Sequence, residues 1–248
     1  MKELIYSISL INQIVKGELH SSCDDDNIIH ELLIDSRKLI NANNSIFFAL
    51  KSKRNDGHKY IKNLYKRGLR SFVVSEIPDQ FEYLVNANYI LVKDTLKALQ
   101  ALSTYHRSQM DYPVLAITGS NGKTIVKEWI YQVLQGDKSI HRSPKSYNSQ
   151  IGVPLSVWQM KPHHEMAIIE AGISEPEEMN NLQRIIQPTI GIFTNIGEAH
   201  GENFINNTHK AGEKLKLFTK VDTLIYSPDQ KRIQEVLIRS ELLDQIKS

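Results

Sequence analysis

Gly119-Ser120-Asn121-Gly122-Lys123-Thr124 stands between the apolar run Val114-Leu115-Ala116-Ile117-Thr118 and a segment with helical apolar spacing. That order of strand, glycine turn, Lys-Thr and helix constrains the chain more than any other feature. Glycines let a backbone wrap tightly, so that successive N–H groups point at one anion. The N-terminus of the following helix adds partial positive charge. The Lys123 ammonium can then reach β- and γ-phosphates, and the Thr124 hydroxyl can ligate Mg²⁺. The segment reads as an ATP phosphate loop. The general pattern also wants a glycine where Ile117 stands, so a glycine turn that binds nothing is the competing reading.

The periodicity around the loop sets the fold class. Residues 28–34, 46–50, 72–75 and 89–92 read as strands, and residues 60–67 and 95–110 as helices. Asp94 is the N-cap candidate of the second helix. Asp111-Tyr112-Pro113 breaks the pattern, because a proline disfavours helix in the residue before it. A small α/β domain over residues 1–111 and a second domain over 112–248 are expected. In the second, strands Val114–Thr118, Met166–Glu170, 189–195 and Thr223–Tyr226 alternate with helices Lys123–Leu134, 175–186 and 209–219. Such alternation gives a mostly parallel sheet with helices on both faces. Ligands sit beyond the carboxyl ends of such strands, so the loops after Thr118, Glu170 and Asn195 should converge.

Several residues near those ends have suitable chemistry. Glu170 closes its strand at the ligand edge, where it can hold Mg²⁺ opposite Thr124 or simply cap a neighbouring element. His200, in Asn195-Ile196-Gly197-Glu198-Ala199-His200, can ligate a metal or meet phosphate, or lie idle on the surface. Lys210 and Lys214 share a helix face at i, i+4, which is ordinarily a solvated face. Ser143-Pro144-Lys145-Ser146-Tyr147-Asn148-Ser149-Gln150 suits a substrate loop or a plain connector. In the first domain Asp35-Ser36-Arg37 and Asn55-Asp56-Gly57-His58 suit either an anion cradle or turn chemistry alone.

Taken together, these segments resemble the Mur ligases, the ATP-dependent amide-forming enzymes of bacterial cell-wall synthesis. Residues 118–124 match that family's phosphate loop, which also lacks the first glycine. Ile151-Gly152-Val153-Pro154, the strand ending in Glu170, and residues 195–200 match in order and spacing. Asp35-Ser36-Arg37 and Asp56-Gly57-His58 resemble its N-terminal domain, which binds a UDP-sugar. Lys127-Glu128 and Glu213-Lys214-Leu215-Lys216-Leu217-Phe218 point to the MurF branch, and residues 143–150 to versions fused to an alanine racemase.

The resemblance implies that D-alanyl-D-alanine is joined to UDP-N-acetylmuramoyl-tripeptide through an acyl phosphate, with ATP and Mg²⁺. It assigns Gly119, Ser120, Asn121, Gly122, Lys123 and Thr124 to ATP. Thr124 and Glu170 are assigned to one Mg²⁺, and His200 and Lys214 to a second. Lys123, His200 and Lys214 are the catalytic candidates, Lys214 matching a lysine that this family carbamylates. Ser36, Arg37, Asp56, Gly57, His58, Asn148 and Ser149 are assigned to substrate. Ile125 departs from the serine or threonine common at its position. A third, C-terminal domain that closes over ATP is implied beyond Ser248, so the sequence reads as the N-terminal part of a longer enzyme, incomplete in its central domain. Another ligase on the same central domain, such as a folylpolyglutamate synthase, and a non-catalytic nucleotide-binding module are the alternatives.

Charge and cysteine content bound the setting. Thirty basic against 28 acidic side chains, evenly spread, give no stripe for nucleic acid. Cys23 is the sole cysteine, which excludes an internal disulfide and fits a reducing, cytoplasmic compartment. No 18-residue apolar stretch suits a membrane span.

Overall fold

The computed structural model describes residues 4–21, 27–53, 55–77, 85–197 and 203–240. The chain divides into two compact units, Lys2–Tyr105 and His106–Ser248.

In the first unit, α1 (Ile8–Val15) opens at Ser7, whose hydroxyl accepts the Leu10 N–H at 3.2 Å. The strands are β1 (Glu18–Ser21), β2 (Glu31–Leu33), β3 (Ser45–Phe48), β4 (Ser71–Val74) and β5 (Asn88–Leu91), in the order β1-β5-β4-β3-β2. All neighbours are parallel except β1 with β5. The central β3 and β4 are fully buried, so they are continuous apolar runs rather than alternating ones. Helix α2 (Ile61–Lys66) sets Ile61 and Leu64 against Phe47 and Phe72. The strand expected over residues 28–34 is shorter. Its start is diverted, Ile28 bridging antiparallel to Ser7 and the Ile29 N–H bonding to Tyr6 O.

Helix α3 (Thr95–Ser108) contains the division between the units. Beyond it come β6 (Val114–Thr118), α4 (Lys123–Leu134), β7 (Ile140–Arg142), α5 (Gly152–Trp158), β8 (Met166–Glu170) and α6 (Glu178–Ile186). β9 (Ile190–Phe193), α7 (Asn207–Leu215), β10 (Thr223–Tyr226) and α8 (Lys231–Arg239) follow. The sheet order is β10-β9-β6-β8-β7, parallel throughout. The α/β class with mostly parallel sheets expected from periodicity is what forms. The central β6 has β8 on one side and β9 on the other, so the carboxyl edge of β6 is where a doubly wound sheet opens a crevice.

Two helices begin elsewhere than expected. α6 starts at Glu178 rather than Glu175, because the Glu178 carboxylate accepts the Ser174 and Glu175 N–H groups at 2.7 and 3.0 Å. That leaves Glu177 left-handed at φ 66°. α7 starts at Asn207, capped by the Asn206 side chain on the His209 N–H at 2.8 Å. No helix among the described residues is long and apolar enough to cross a membrane.

Candidate nucleotide site

The turn from β6 into α4 is made by two left-handed glycines, Gly119 at φ 144° and Gly122 at φ 81°. A Cβ on Gly119 would lie 2.0 Å from Thr194 Oγ1, so only glycine fits. No side chain caps α4, whose N-cap is Gly122, so its first N–H groups stay open to an anion. Lys123 folds back over the turn, donating to Gly119 O at 2.9 Å and Ser120 O at 3.3 Å. Burial lowers its pKa, partly offset by Glu170. Ile117, where the general pattern has glycine, is an inner residue of β6, paired with Ile192 and Glu170.

The loop after β9 grips this turn from one side. Ser120 N–H bonds to Asn195 O at 2.9 Å and Asn121 N–H to Asn195 Oδ1 at 3.0 Å. Thr194 Oγ1 donates to Asn121 O at 2.6 Å, and Gly197 N–H to Ser120 Oγ at 2.9 Å. Nothing in the sequence pattern of the phosphate loop signals these bonds; only the parallel pairing of β6 with β9 creates them.

On the other side stands β8. Thr124 Oγ1 donates to Glu170 Oε2 at 3.1 Å, and Glu170 is fully buried. Glu170 Oε1 accepts no well-directed hydrogen bond; its nearest partner is Lys127 Nζ at 2.9 Å, also fully buried. The Thr124 hydroxyl and the Oε2 of a buried carboxylate beside it are hard oxygen donors of the kind Mg²⁺ takes. Lys127 is the residue that sequence reasoning passed over as a site member. Its signal was a lysine one turn after Lys123, on a helix face otherwise turned to the core.

Residues 143–150 are built into the same edge. Ser143 Oγ accepts the Glu170 N–H at 3.2 Å, Gly172 N–H bonds to Asn148 O at 2.7 Å, and Ser149 Oγ accepts the Gly152 N–H at 3.1 Å at the start of α5. Asn148 thus meets the site's rim through its backbone, and Ser149 serves the helix start.

Lys210 and Lys214 are not on a solvated face: both are buried, at 1% and 3% exposure. Lys210 Nζ donates to Gly197 O at 2.6 Å. Burial, then the Lys123 and Lys210 cations, lower the Lys214 pKa to about 7. A lysine that sheds its proton near neutrality is poised for chemistry as a free amine. Glu198 and His200 lie outside the described residues.

In the first unit, Arg37 is exposed and forks onto Asp35 at 3.0 and 2.8 Å, which holds the Asp35 pKa near 2. The Ser36 carbonyl accepts Arg67. His58 is buried with both nitrogens engaged, Nδ1 to Asp56 Oδ1 at 2.6 Å and Nε2 to the Ser75 N–H at 3.0 Å. Gly57 lies so close to Ala49 and Leu50 that a Cβ would meet backbone at 2.8 Å. Asp56, His58 and Glu76 form a group with metal-ligand spacing, but Lys51 already stands 3.7 Å from Asp56 and 3.3 Å from Glu76.

Residues 117–243 match the family model of the Mur ligase middle domain. The chain is 33% identical over 232 residues to the UDP-N-acetylmuramoyl-tripeptide--D-alanyl-D-alanine ligase of Bacillus subtilis (strain 168), covering 92% of this chain and 50% of that relative. To the ligase of the same name from Borreliella burgdorferi it is 35% identical over 195 residues, covering 75% and 42%. Among solved structures, MurF from Acinetobacter baumannii superposes with a TM-score of 0.83 at 24% identity, over 95% of this chain and 52% of that one. MurF ligase from Thermotoga maritima, solved in complex with ADP, gives 0.72 at 24% identity, over 88% and 49%. The chain spans about half the length of the curated relatives it matches.

Proposed function

The chain belongs to the Mur ligase family, and from that premise we propose that it is the N-terminal part of an ATP-dependent ligase that adds D-alanyl-D-alanine to UDP-N-acetylmuramoyl-tripeptide. The name that its relatives share supports the substrates. The observation that carries the chemistry is the meeting of Thr124 Oγ1 with Glu170 Oε2, 3.1 Å apart, beside the uncapped start of α4. The longer chain would hold a C-terminal domain that closes over ATP, and an alanine racemase if the likeness of residues 143–150 extends that far. A cytoplasmic setting suits nucleotide-linked substrates.

In this reading the N–H groups of residues 119–124 and the Lys123 ammonium bind the β- and γ-phosphates of ATP. The tripeptide carboxylate attacks the γ-phosphorus, ADP leaves, and the amine of D-alanyl-D-alanine then displaces phosphate from the acyl phosphate. The protein's part is positioning and charge neutralisation. Thr124 and Glu170 would hold one Mg²⁺, and His200 with Lys214 a second. When bound, these ions neutralise charge on the transferring phosphoryl group.

Lys214 serves that role as a carbamate, formed when its neutral amine adds to carbon dioxide and gives up a proton. A pKa of about 7 supplies that amine at neutral pH. Equilibration with ¹³C-bicarbonate should give a carbamate carbon signal that Lys214→Met removes. A spectrum the same in both proteins would dismiss the carbamate.

Arg37 is proposed as an anion contact for the UDP-substrate, with Ser36 beside it. Asp56, Gly57 and His58 shape the loop, and Asn148 with Ser149 the rim. Arg37→Ala should raise the Kd for UDP-N-acetylmuramoyl-tripeptide by about tenfold or more in calorimetry, as a lost charge-assisted pair does, with an unchanged melting temperature. Equal affinity would remove Arg37 from the site. The full-length protein tests the whole assignment. ADP release should require both UDP-tripeptide and D-alanyl-D-alanine, and release independent of either would refute it.

A further inference from the structure

Lys127 is buried where a lysine has no solvent to reach, and each of its ammonium contacts is structural. It donates to Ser143 O at 2.8 Å and Lys145 O at 2.5 Å, and lies 2.9 Å from Glu170 Oε1 and 3.2 Å from Glu128 Oε1. Glu128 is itself held by Arg142 at 3.3 Å, and the Arg142 guanidinium stacks 3.6 Å over Tyr131. One side chain therefore joins α4, the loop that leaves β7, and the end of β8.

The two oxygens of Glu170 are divided by this arrangement. Oε1 faces Lys127, and Oε2 faces Thr124. A carboxylate at zero exposure is costly as an anion unless a cation compensates it. Lys127 provides that cation from inside the protein, 2.9 Å from Oε1.

We infer that Lys127 is a positioning residue for divalent-cation binding: it engages Glu170 Oε1, leaves Oε2 directed at Thr124, and fixes residues 143–145 at the same time. This rests on the proposed role of Glu170 as a Mg²⁺ ligand.

The test is the ratio of ADP affinities measured by calorimetry on the folded chain with Mg²⁺ and with a chelator. In the unmodified protein Mg²⁺ should tighten ADP by about tenfold or more, since Thr124 and Glu170 would hold a cation that offsets phosphate charge. Lys127→Met should leave the chelated affinity within about twofold, because the phosphate-loop N–H groups are untouched, and cut the Mg²⁺ enhancement at least about fivefold. Lys127→Gln keeps a donor for Ser143 O without the charge, and should behave alike if the methionine variant folds poorly. Added to Glu170→Gln, Lys127→Met should cause no further loss. An unchanged enhancement in a folded Lys127 variant, with Glu170→Gln abolishing it, overturns the role of Lys127 alone. An enhancement that survives Glu170→Gln overturns the reading of Glu170 itself, and the inference with it. A merely structural lysine would lower both affinities together and leave their ratio in place.

Discussion

Brought from pH 7 to pH 4.5, the unit that carries the phosphate loop should lose about 5 kcal/mol of stability through two buried histidines. Burial pushes His106 and His141 each down to about 4, from an ordinary value of 6.5. His106 sits beside Trp158 with Nε2 2.9 Å from Met160 O. His141 faces Ser156 at 3.5 Å and stacks near His164. The sign follows from which state binds protons more readily. Above pH 6.5 both rings are neutral in either state, and their contribution is fully present. As pH falls, the unfolded chain takes up two protons that the folded unit refuses until about pH 4, so the contribution is lost across that window. A loss of this size rivals the whole stability of an ordinary domain, about 5–15 kcal/mol. Urea midpoints measured from pH 7 to 4.5 should fall steeply, and His106→Gln with His141→Gln should flatten the slope. A flat profile in the unsubstituted protein would sink the prediction. Asp35, held near 2 by Arg37, stays ionised throughout and adds nothing to the window.

The second large effect concerns the buried pair. Glu170→Leu leaves the Lys127 ammonium without its carboxylate at zero exposure, which should cost about 3–5 kcal/mol. Ser143 O and Lys145 O still accept from Lys127, and Glu128 Oε1 remains 3.2 Å away, but that carboxylate is part-exposed and shared with Arg142, so it replaces the buried one only in part and the cost falls toward the lower end of this range. Removing both charges, as Lys127→Met with Glu170→Leu, should recover most of that loss, because two apolar side chains of similar volume need no counter-charge. The measurement is a double-mutant cycle in denaturant. Additive losses would show that the two side chains do not act as a pair.

The phosphate loop was legible because its requirements are local. Left-handed backbone at Gly119 and Gly122, an uncapped helix start and an adjacent Lys-Thr are all written within a few residues. Glu170 was legible for the same reason, as a charge that closes an apolar strand. Elements without a strong period were harder to see. β7 has three residues, and α5 opens Gly152-Val153-Pro154, which resembles a turn although proline is tolerated in a first helical turn. The edge strand β1, with its polar Glu18 and His20, was also not distinguishable from a connector, whereas α1 and α8 carry a helical spacing, Ile8, Ile11 and Val15 in one and Ile233, Val236 and Leu237 in the other, that went unread.

Charged residues on α4 and α7 mark the boundary most clearly. Lys210 and Lys214 share a face in any helix, and a lysine face is ordinarily a wet one. Their burial comes from packing around the β6 and β9 edge, and it is packing that lowers Lys214 to about 7. Lys127 likewise is one more helix lysine until β7 and β8 bring Ser143 and Glu170 to its ammonium. The sequence by itself determined the α/β class, the glycine turn and the residue types at its rim, since backbone conformation and periodicity are set by near neighbours. Only the tertiary structure decided which charges lose their water and which oxygen of Glu170 faces the loop. Desolvation and pairing depend on side chains brought together from distant parts of the chain.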